Sequence, residues 1–318
     1  MNLKHILAVG SLLMMSANTW AEPTYRLFVT NEKGNSVSVI DSRTGEVETT
    51  LEIGERPRGI GLSPDHKVLY VALSNEDAIA MVDVKTLKTI GKLNAGEDPE
   101  TFAVHPNGNL YMSNEDDAKA TVVNPATGEI LHEIKVGLEP EGVAISPDGN
   151  TALVTSESLN MVHIIDTATH KIVANVLVGA RPRGLAFNSA GSLAYVSSEV
   201  GNEVAIIDMA THKIIKKVTL DIPKSKPMAL VLSPDDKVVY MTTGRASKVA
   251  VLDANTLEVL STIDVGKRVW GEVLSRDGST LYTANGVSHS VSVVDTASGK
   301  STMEIEVGKF PWGLALDD

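Results

Sequence analysis

The sequence contains no cysteine in its 318 residues. This absence excludes disulfide bonds, thiolate metal ligands, covalent haem attachment through a Cys-x-x-Cys-His motif, and cysteine nucleophiles. A fold built from this chain must therefore be stabilised by its hydrophobic core alone.

The sequence also lacks an apolar run long enough to cross a bilayer, which takes about 20 residues. The apolar stretch Ile6–Met15 is far shorter and follows Lys4, and small residues precede a possible cleavage point after Ala21. These features are typical of a signal peptide. We therefore expect residues 1–21 to be removed on export. The remainder, 22–318, is expected to be a periplasmic protein without membrane insertion, with secretion as the alternative.

Basic residues are too few to balance the acidic ones, since 28 Lys and Arg stand against 40 Asp and Glu, for a net charge of −12. Removing residues 1–21 takes away only Lys4, which leaves 27 basic and 40 acidic residues and a charge of −13. Such a chain would be repelled by nucleic acids and by anionic membranes. We therefore expect neither nucleic acid nor an anionic membrane surface as a partner.

Common catalytic motifs are missing as well. The sequence has no His-Glu-x-x-His, no phosphate-binding Gly-x-x-x-x-Gly-Lys and no Gly-x-Ser-x-Gly. Gly59 and Gly61 lie in a predicted strand with no helix after it, so they do not form a dinucleotide-binding turn. No motif therefore identifies the chain as an enzyme.

The sequence does contain a repeat of about 42 residues. In each copy an apolar strand ends in Asp or Asn, and these end residues are 42, 41, 42, 42, 45 and 42 positions apart. They are Asp41, Asp83, Asn124, Asp166, Asp208, Asp253 and Asp295. Four short β-rich runs, separated by turns rich in Gly, Pro, Asp and Asn, make up each repeat. Seven such units predict an all-β, seven-bladed propeller of four-stranded antiparallel blades, forming one domain over 22–318.

The register of the repeats also predicts how the ring closes. The propeller sequence starts at a second-strand position, Arg26–Thr30, and stops at a first-strand position, Gly313–Leu316. We therefore expect the C-terminal strand to pair with the N-terminal strand and complete its blade. Closing the ring in this way leaves few unpaired sheet edges.

Several segments carry a family resemblance. Val29–Asn31 and Ser36–Asp41, together with recurrent Pro-x-Gly and Ser-Pro-Asp-Gly turns, resemble the YVTN family of bacterial β-propeller repeats over all of 22–318. Non-repetitive segments are similar to its seven-repeat subgroup associated with pyrroloquinoline-quinone-dependent catabolism: Glu55–Gly59, Gly179–Gly184, Gly266–Trp270, Thr283–Ser288 and Gly308–Gly313. The resemblance implies a role beside an exported quinoprotein alcohol dehydrogenase system, and it brings no catalytic residues with it.

One position of the repeat varies where its surroundings do not, namely the residue inside each Pro-x-Gly turn. A position that accepts such different side chains is not dictated by the core, so we expect it to face the axial channel. This mouth column consists of Arg58, Glu100, Glu141, Arg183, Met228, Trp270 and Trp312. Cationic residues two positions earlier are expected at the same end: Arg56, Arg181, Lys226 and Arg268.

The loop after the second strand of each blade is expected on this same face. In four blades it carries a glutamate that is a candidate metal ligand: Glu32, Glu115, Glu157 and Glu199. These carboxylates could hold a divalent cation such as calcium, although no 12-residue calcium loop is present. The alternative is that they cap their loops by accepting backbone N–H groups.

The mouth column also has two interpretations. In the first, Arg58 with Glu100, and Glu141 with Arg183, form salt bridges that plug the channel. In the second, the aromatic faces and fixed cations bind a planar anionic ligand such as pyrroloquinoline quinone, or the docking loop of an exported redox protein.

Histidines give no support for a copper site, which needs several imidazoles at one end of the axis. By register, five of them fall in turns or at outer-strand starts, scattered around the rim: His66, His105, His132, His170 and His212. The sequence therefore favours a non-catalytic binding or scaffold propeller, and the subgroup resemblance implies that it is accessory to a quinone-dependent alcohol oxidation system. The alternative is a periplasmic oxidoreductase or electron-transfer subunit with a cofactor or metal at the channel mouth.

Overall fold

The computed structural model describes residues 22–318, so the expected signal peptide lies outside the described residues. This part of the chain folds into seven four-stranded antiparallel sheets arranged as the blades of a propeller. The only helical element among the described residues is one 3-10 turn, Ser74–Glu76. No helix in 22–318 has the length and apolar character that a membrane span requires. The predicted fold class is confirmed.

Each blade runs from an innermost strand at the axis to an outermost strand at the rim. Blade 1 contains β28 (Pro311–Asp317), β1 (Arg26–Asn31), β2 (Ser36–Asp41) and β3 (Val47–Glu52). Blade 2 contains β4 (Pro57–Leu62), β5 (Val68–Leu73), β6 (Ala78–Asp83) and β7 (Thr89–Asn94). Blade 3 contains β8 (Pro99–Val104), β9 (Leu110–Asn114), β10 (Lys119–Asn124) and β11 (Glu129–Lys135).

The remaining blades follow the same order. Blade 4 contains β12 (Pro140–Ile145), β13 (Thr151–Ser156), β14 (Met161–Asp166) and β15 (Lys171–Leu177). Blade 5 contains β16 (Pro182–Phe187), β17 (Leu193–Ser198), β18 (Glu203–Asp208) and β19 (Lys213–Thr219). Blade 6 contains β20 (Leu230–Leu232), β21 (Val238–Thr242), β22 (Lys248–Asp253) and β23 (Val259–Asp264). Blade 7 contains β24 (Val269–Leu274), β25 (Thr280–Asn285), β26 (Ser290–Asp295) and β27 (Lys300–Glu306).

Aliphatic packing between neighbouring blades forms the core. Seven hydrophobic clusters are present in the described residues, and each joins two adjacent blades. The second and third strands are buried on both faces, as in β1 and β2, whereas outermost strands such as β3 alternate between exposed and partly buried residues. Neighbouring blades cover both faces of the middle strands, so even small polar residues such as Ser36 and Ser38 of β2 are buried.

An aspartate ends the third strand in six of the seven blades, and it organises the turn that follows. In blade 4, Asp166 Oδ1 accepts hydrogen bonds from the amide and the hydroxyl of Thr169, both at 2.7 Å. The same pair of bonds links Asp208 to Thr211. Hydrogen bonds from Thr169 lower the pKa of Asp166. The aspartate that recurs every 42 residues or so is thus a turn-forming carboxylate.

The ring closes as predicted. Strand β28 pairs antiparallel with β1, with Leu316 opposite Leu27. Asp317 fastens the junction, because its carboxylate accepts the amide of Thr24 at 2.8 Å and the hydroxyl of Thr24 at 2.6 Å. The other oxygen contacts His66 Nδ1, in a turn of blade 2, at 2.8 Å. One buried carboxylate therefore ties the C-terminal strand to the N-terminal segment and to the next blade.

Candidate functional site

The innermost strands meet around the axis, and each contacts the innermost strands of both neighbouring blades. At one end they enclose a cavity of about 220 Å³ that is lined by residues of all seven blades. Five members of the mouth column line it directly: Glu141, Arg183, Met228, Trp270 and Trp312. Arg58 and Glu100, the other two, are buried.

A strained turn places the column. The residue two positions before the column residue has a positive φ in six blades, for example 51° at Arg56, 58° at Arg181 and 54° at Arg268. Left-handed backbone is costly for residues other than glycine. The turn is held by a backbone hydrogen bond from the loop after the second strand, as between Glu199 N and Arg181 O at 2.8 Å. This bond brings the loop glutamates onto the same face as the column, as the sequence predicts.

Arginine and carboxylate side chains of blades 1 to 5 form one continuous ion-pair network. Arg183 is its centre, because its guanidinium contacts Glu141 at 2.7 Å, Glu157 at 2.9 Å and Glu199 at 3.0 Å. Arg181 joins the network through Glu157 and Glu199. Arg58 contacts Glu141 at 3.5 Å and also pairs with Glu100. The four column residues predicted to form salt bridges do form them.

The network extends to blades 1 and 3 through Arg56. Its guanidinium contacts Glu32 at 3.5 Å, Asp98 at 2.9 Å and Glu100 at 3.0 Å. The carboxylates of Glu32, Glu157 and Glu199 thus contact arginine side chains. The alternative that they cap their own loops would have required contacts with backbone N–H groups. Asp98 is a member that the sequence did not suggest.

Burial and charge act against each other within the network. Burial alone would raise the pKa of Glu141, but Arg183 and Arg58 lower it below its ordinary value. Burial alone would lower the pKa of Arg183, but Glu141 and Glu157 raise it. For Glu157 burial prevails and raises the pKa to about 7. Burial also lowers the pKa of Arg58.

The other side of the mouth is aromatic. Trp270 lies under Arg268, with the guanidinium carbon 4.9 Å from the ring centroid, and Arg183 is 6.0 Å away. Trp312 lies under Arg58 at 4.6 Å. Both tryptophans are partly exposed and lie on neighbouring innermost strands, β24 and β28. The mouth therefore presents two partly exposed tryptophans, each with a guanidinium group over its ring.

One carboxylate cluster has the spacing of a metal site. Oxygen atoms of Asp98, Glu100 and Glu115 lie within 4.8 Å of one another, and no other such group of three occurs in 22–318. Burial raises the pKa of Asp98 and of Glu115. Arg56 already contacts Asp98 and Glu100. Of the four candidate metal ligands, only Glu115 belongs to this cluster.

Glu272 is a cavity residue that sequence reasoning missed. It lies two residues after Trp270 on β24 and lines the cavity. Both of its carboxylate oxygens are buried without a well-formed hydrogen bond in the described chain; the backbone N–H of Thr242 acts on the carboxylate but donates to Ala229 O at 3.0 Å. Burial raises the pKa of Glu272 well above its ordinary value. The sequence did hold a signal, because the same position is apolar in the other six blades: Ile60, Phe102, Val143, Leu185, Leu230 and Leu314.

Three histidines predicted to be scattered come together instead. The rings of His132 and His170 stack with centroids 3.7 Å apart. Tyr111 OH contacts His170 Nδ1 at 3.2 Å, and the ring of His105 stacks on Tyr111. Blades 3 and 4 adjoin here, and the cluster lies away from the channel mouth. Burial and the nearby His132 lower the pKa of His170.

The loops of the mouth face divide by charge. The loops of blades 2 and 3 are mostly acidic, with Glu55, Glu76, Asp77, Glu97, Asp98, Glu115, Asp116 and Asp117 against one arginine, Arg56. The loops of blades 6, 7 and 1 are mostly basic, with Lys224, Lys226, Arg245, Lys267, Arg268, Lys309 and Lys33 against two acidic residues, Asp221 and Glu32. The tryptophans lie on the basic side. An anionic molecule is therefore attracted to the same half of the face that offers the aromatic rings.

Comparisons with known proteins agree with this architecture. Residues 19–147 and 142–309 match the family described as "Lactonase, 7-bladed beta-propeller". No curated protein matches the chain significantly.

Solved structures with the same fold include hydrazine synthase of Kuenenia stuttgartiensis, with 22% identity and a TM-score of 0.71 over 82% of this chain and 89% of that one. A functionally unknown protein of Desulfotomaculum acetoxidans DSM 771 has 17% identity and a TM-score of 0.81 over 92% and 98%. Dihydro-heme d1 dehydrogenase NirN, in complex with DHE, has 15% identity and a TM-score of 0.66 over 95% and 77%. At these identities the likeness shows the fold alone.

Proposed function

The chain belongs to the family of seven-bladed β-propellers described as lactonase. Within that fold, we propose that it is a non-catalytic binding propeller. Its ligand or docking partner occupies the mouth of the axial channel. The observation that carries the proposal is the cavity of about 220 Å³, which joins an arginine-rich ion-pair network to two tryptophans. Concave sites with aromatic walls and a few fixed polar groups are typical of ligand binding.

The chemistry of the mouth supports a flat, anionic ligand. The rings of Trp270 and Trp312 offer stacking surfaces, and Arg268 and Arg58 lie over them at 4.9 Å and 4.6 Å. Guanidinium groups pair well with carboxylates, and their planes stack on flat molecules. Pyrroloquinoline quinone, a flat tricarboxylate, has these properties and agrees with the subgroup resemblance.

We place this activity in the periplasm, beside an exported quinone-dependent alcohol oxidation system. The signal-peptide pattern of residues 1–21 and the subgroup resemblance support that location. The divided charge of the mouth face also suits a redox protein whose docking loop carries acidic groups toward blades 6 and 7. The carboxylates of Asp98, Glu100 and Glu115 are the place where a divalent cation would compete with Arg56.

Calorimetric titration with pyrroloquinoline quinone tests the proposal. Wild-type protein is expected to bind, and the double variant Trp270→Ala with Trp312→Ala to bind at least tenfold more weakly, because buried aromatic anchors dominate such sites. Tyr25→Ala is a matched control, since Tyr25 is an exposed aromatic ring with Arg43 at 4.9 Å, at the start of β1 and thus on the opposite face.

The thermal midpoint of the double variant decides between a site and a structural plug. Both tryptophans are partly exposed, so their loss should lower the midpoint by far less than the loss of a buried tryptophan, which costs about 3–5 kcal/mol. Tight binding by the double variant, or no binding by the wild type, would sink the proposal. A large loss of stability would show that the pair belongs to the core.

Glu272 favours a second candidate, an enzyme or electron-transfer subunit that uses the same cavity. A carboxyl group whose pKa is raised by burial is a candidate proton donor in a reaction. Visible absorbance, metal analysis and turnover of alcohols and lactones by the purified protein would test this alternative. Activity that disappears in Glu272→Gln would support it, whereas a colourless, metal-free protein without turnover would eliminate it.

A further inference from the structure

Glu272 breaks the pattern of the innermost strands. The equivalent residue of the other six blades is apolar, and in three of them it is leucine: Leu185, Leu230 and Leu314. A core position that accepts leucine does not need a carboxyl group. The acid is therefore explained by something other than packing between the blades.

Two buried polar groups in the wall of the cavity have no well-formed hydrogen bond within residues 22–318. They are the carboxyl group of Glu272 and the indole Nε1 of Trp312. Both residues line the cavity, on the adjacent strands β24 and β28. These strands approach so closely that a Cβ on Gly271 would lie 2.4 Å from the carbonyl oxygen of Trp312. Because buried polar groups in proteins are nearly always paired, the pair points to a partner that enters the cavity.

The charged groups around Glu272 are committed elsewhere. Glu141 and Arg183, the other ionisable residues that line the cavity, contact each other at 2.7 Å. Tyr240 of β21 is the titratable group whose pKa Glu272 influences. Burial raises the pKa of Glu272 well above its ordinary value, against the smaller opposing effect of the Thr242 backbone N–H, and this favours the protonated form of its carboxyl group. It is then a hydrogen-bond donor, as is the indole N–H.

We propose that the carboxyl group of Glu272 and the indole N–H of Trp312 donate hydrogen bonds to carbonyl or carboxylate oxygens of a flat ligand held in the channel mouth. This inference rests on the proposed binding function and specifies its ligand as a flat oxo acid or quinone. A cationic ligand is disfavoured, because Arg58 and Arg268 lie over the tryptophan rings. Binding must then be linked to a proton, and affinity falls by up to tenfold per pH unit once Glu272 ionises.

Titration of pyrroloquinoline quinone between pH 6 and pH 9, with three proteins, tests the inference. Wild type should lose affinity as the pH rises. Glu272→Gln keeps a donor that does not ionise, so its affinity should be close to that of wild type at pH 6 and lose the pH dependence that comes from Glu272. Glu272→Leu matches three other blades and should fold with an unchanged or higher thermal midpoint, but bind at least tenfold more weakly.

Glu157 titrates in the same range, since its pKa is raised to about 7, and Glu157→Gln is therefore the matched control. The inference is overturned if Glu272→Leu binds as tightly as wild type, or if the pH dependence persists in Glu272→Gln and vanishes in Glu157→Gln. Those results leave the binding function intact, because the tryptophan variants report on it separately. Absence of binding by wild type overturns both.

Discussion

Replacing Glu141 with glutamine should destabilise the propeller, because this carboxylate lies between two arginines. It is 2.7 Å from Arg183 and 3.5 Å from Arg58, and all three side chains are at most 10% exposed. The substitution keeps the shape of the side chain and removes its charge. Arg58 and Arg183 would then share one carboxylate fewer in a buried setting.

The magnitude follows from the contacts that remain. Removing one partner of a buried pair typically costs about 3–5 kcal/mol. Arg183 keeps Glu157 and Glu199, and Arg58 keeps Glu100, so the lower end of that range, about 3 kcal/mol, is expected. With an unfolding entropy of about 2.1 cal/mol/K per residue, a chain of this length should lose roughly 5 °C of its thermal midpoint.

Thermal unfolding of wild type, Glu141→Gln and Glu199→Gln at one pH gives the comparison. Glu199 undergoes the same chemical change, but it is more exposed than Glu141, at 16% against 6%, so its loss should cost less than about 1 kcal/mol. An anionic ligand should raise the midpoint of Glu141→Gln more than that of wild type, because the two arginines gain a partner. A midpoint of Glu141→Gln within about 1 °C of wild type would refute the reasoning.

Three further predictions concern other parts of the molecule. Burial raises the pKa of Glu157 from 4.5 to about 7, so the folded state loses stability as this group ionises. The free energy of unfolding of wild type should therefore fall by about 3 kcal/mol relative to that of Glu157→Gln as the pH rises from 5 to 8. A constant difference between the two proteins in urea unfolding would contradict this. Asp317→Ala removes three hydrogen bonds at the ring closure and should cost about 2–4 kcal/mol, with faster amide exchange in β1 and β28. Because the pKa of His170 is lowered, acidification from pH 7 to pH 5 should destabilise wild type more than His132→Gln; equal losses would argue against the stacked pair.

The fold was predictable because one short pattern occurs seven times. The spacing of about 42 residues between the Asp or Asn residues that end the third strands predicts the length of one blade. The register of Arg26–Thr30 and Gly313–Leu316 predicts that β1 and β28 pair to close the ring. The same register predicts that the mouth column gathers at one end of the axis, since each blade contributes one equivalent residue. The salt bridges of Arg58 and Arg183 follow from neighbouring blades in that column.

Interactions between unlike positions could not be predicted in this way. His105, His132 and His170 come from the end of β8, from β11 and from the turn after β14, so no single register position brings them together. Asp98 enters the network because the side chain of Arg56 reaches across to the next blade. Only a comparison of the position two residues after the mouth column identifies Glu272, because it is the one acidic residue there and the other six are apolar.

Tryptophan fluorescence tests the central claim most directly. In a protein prepared without residues 1–21, the only tryptophans are Trp270 and Trp312, so the emission reports on the channel mouth alone. We predict that pyrroloquinoline quinone quenches this emission with a saturable dependence on concentration, and that the affinity matches the calorimetric value and weakens in Glu272→Leu. Calorimetric binding without any change in the fluorescence would place the ligand elsewhere and contradict the account.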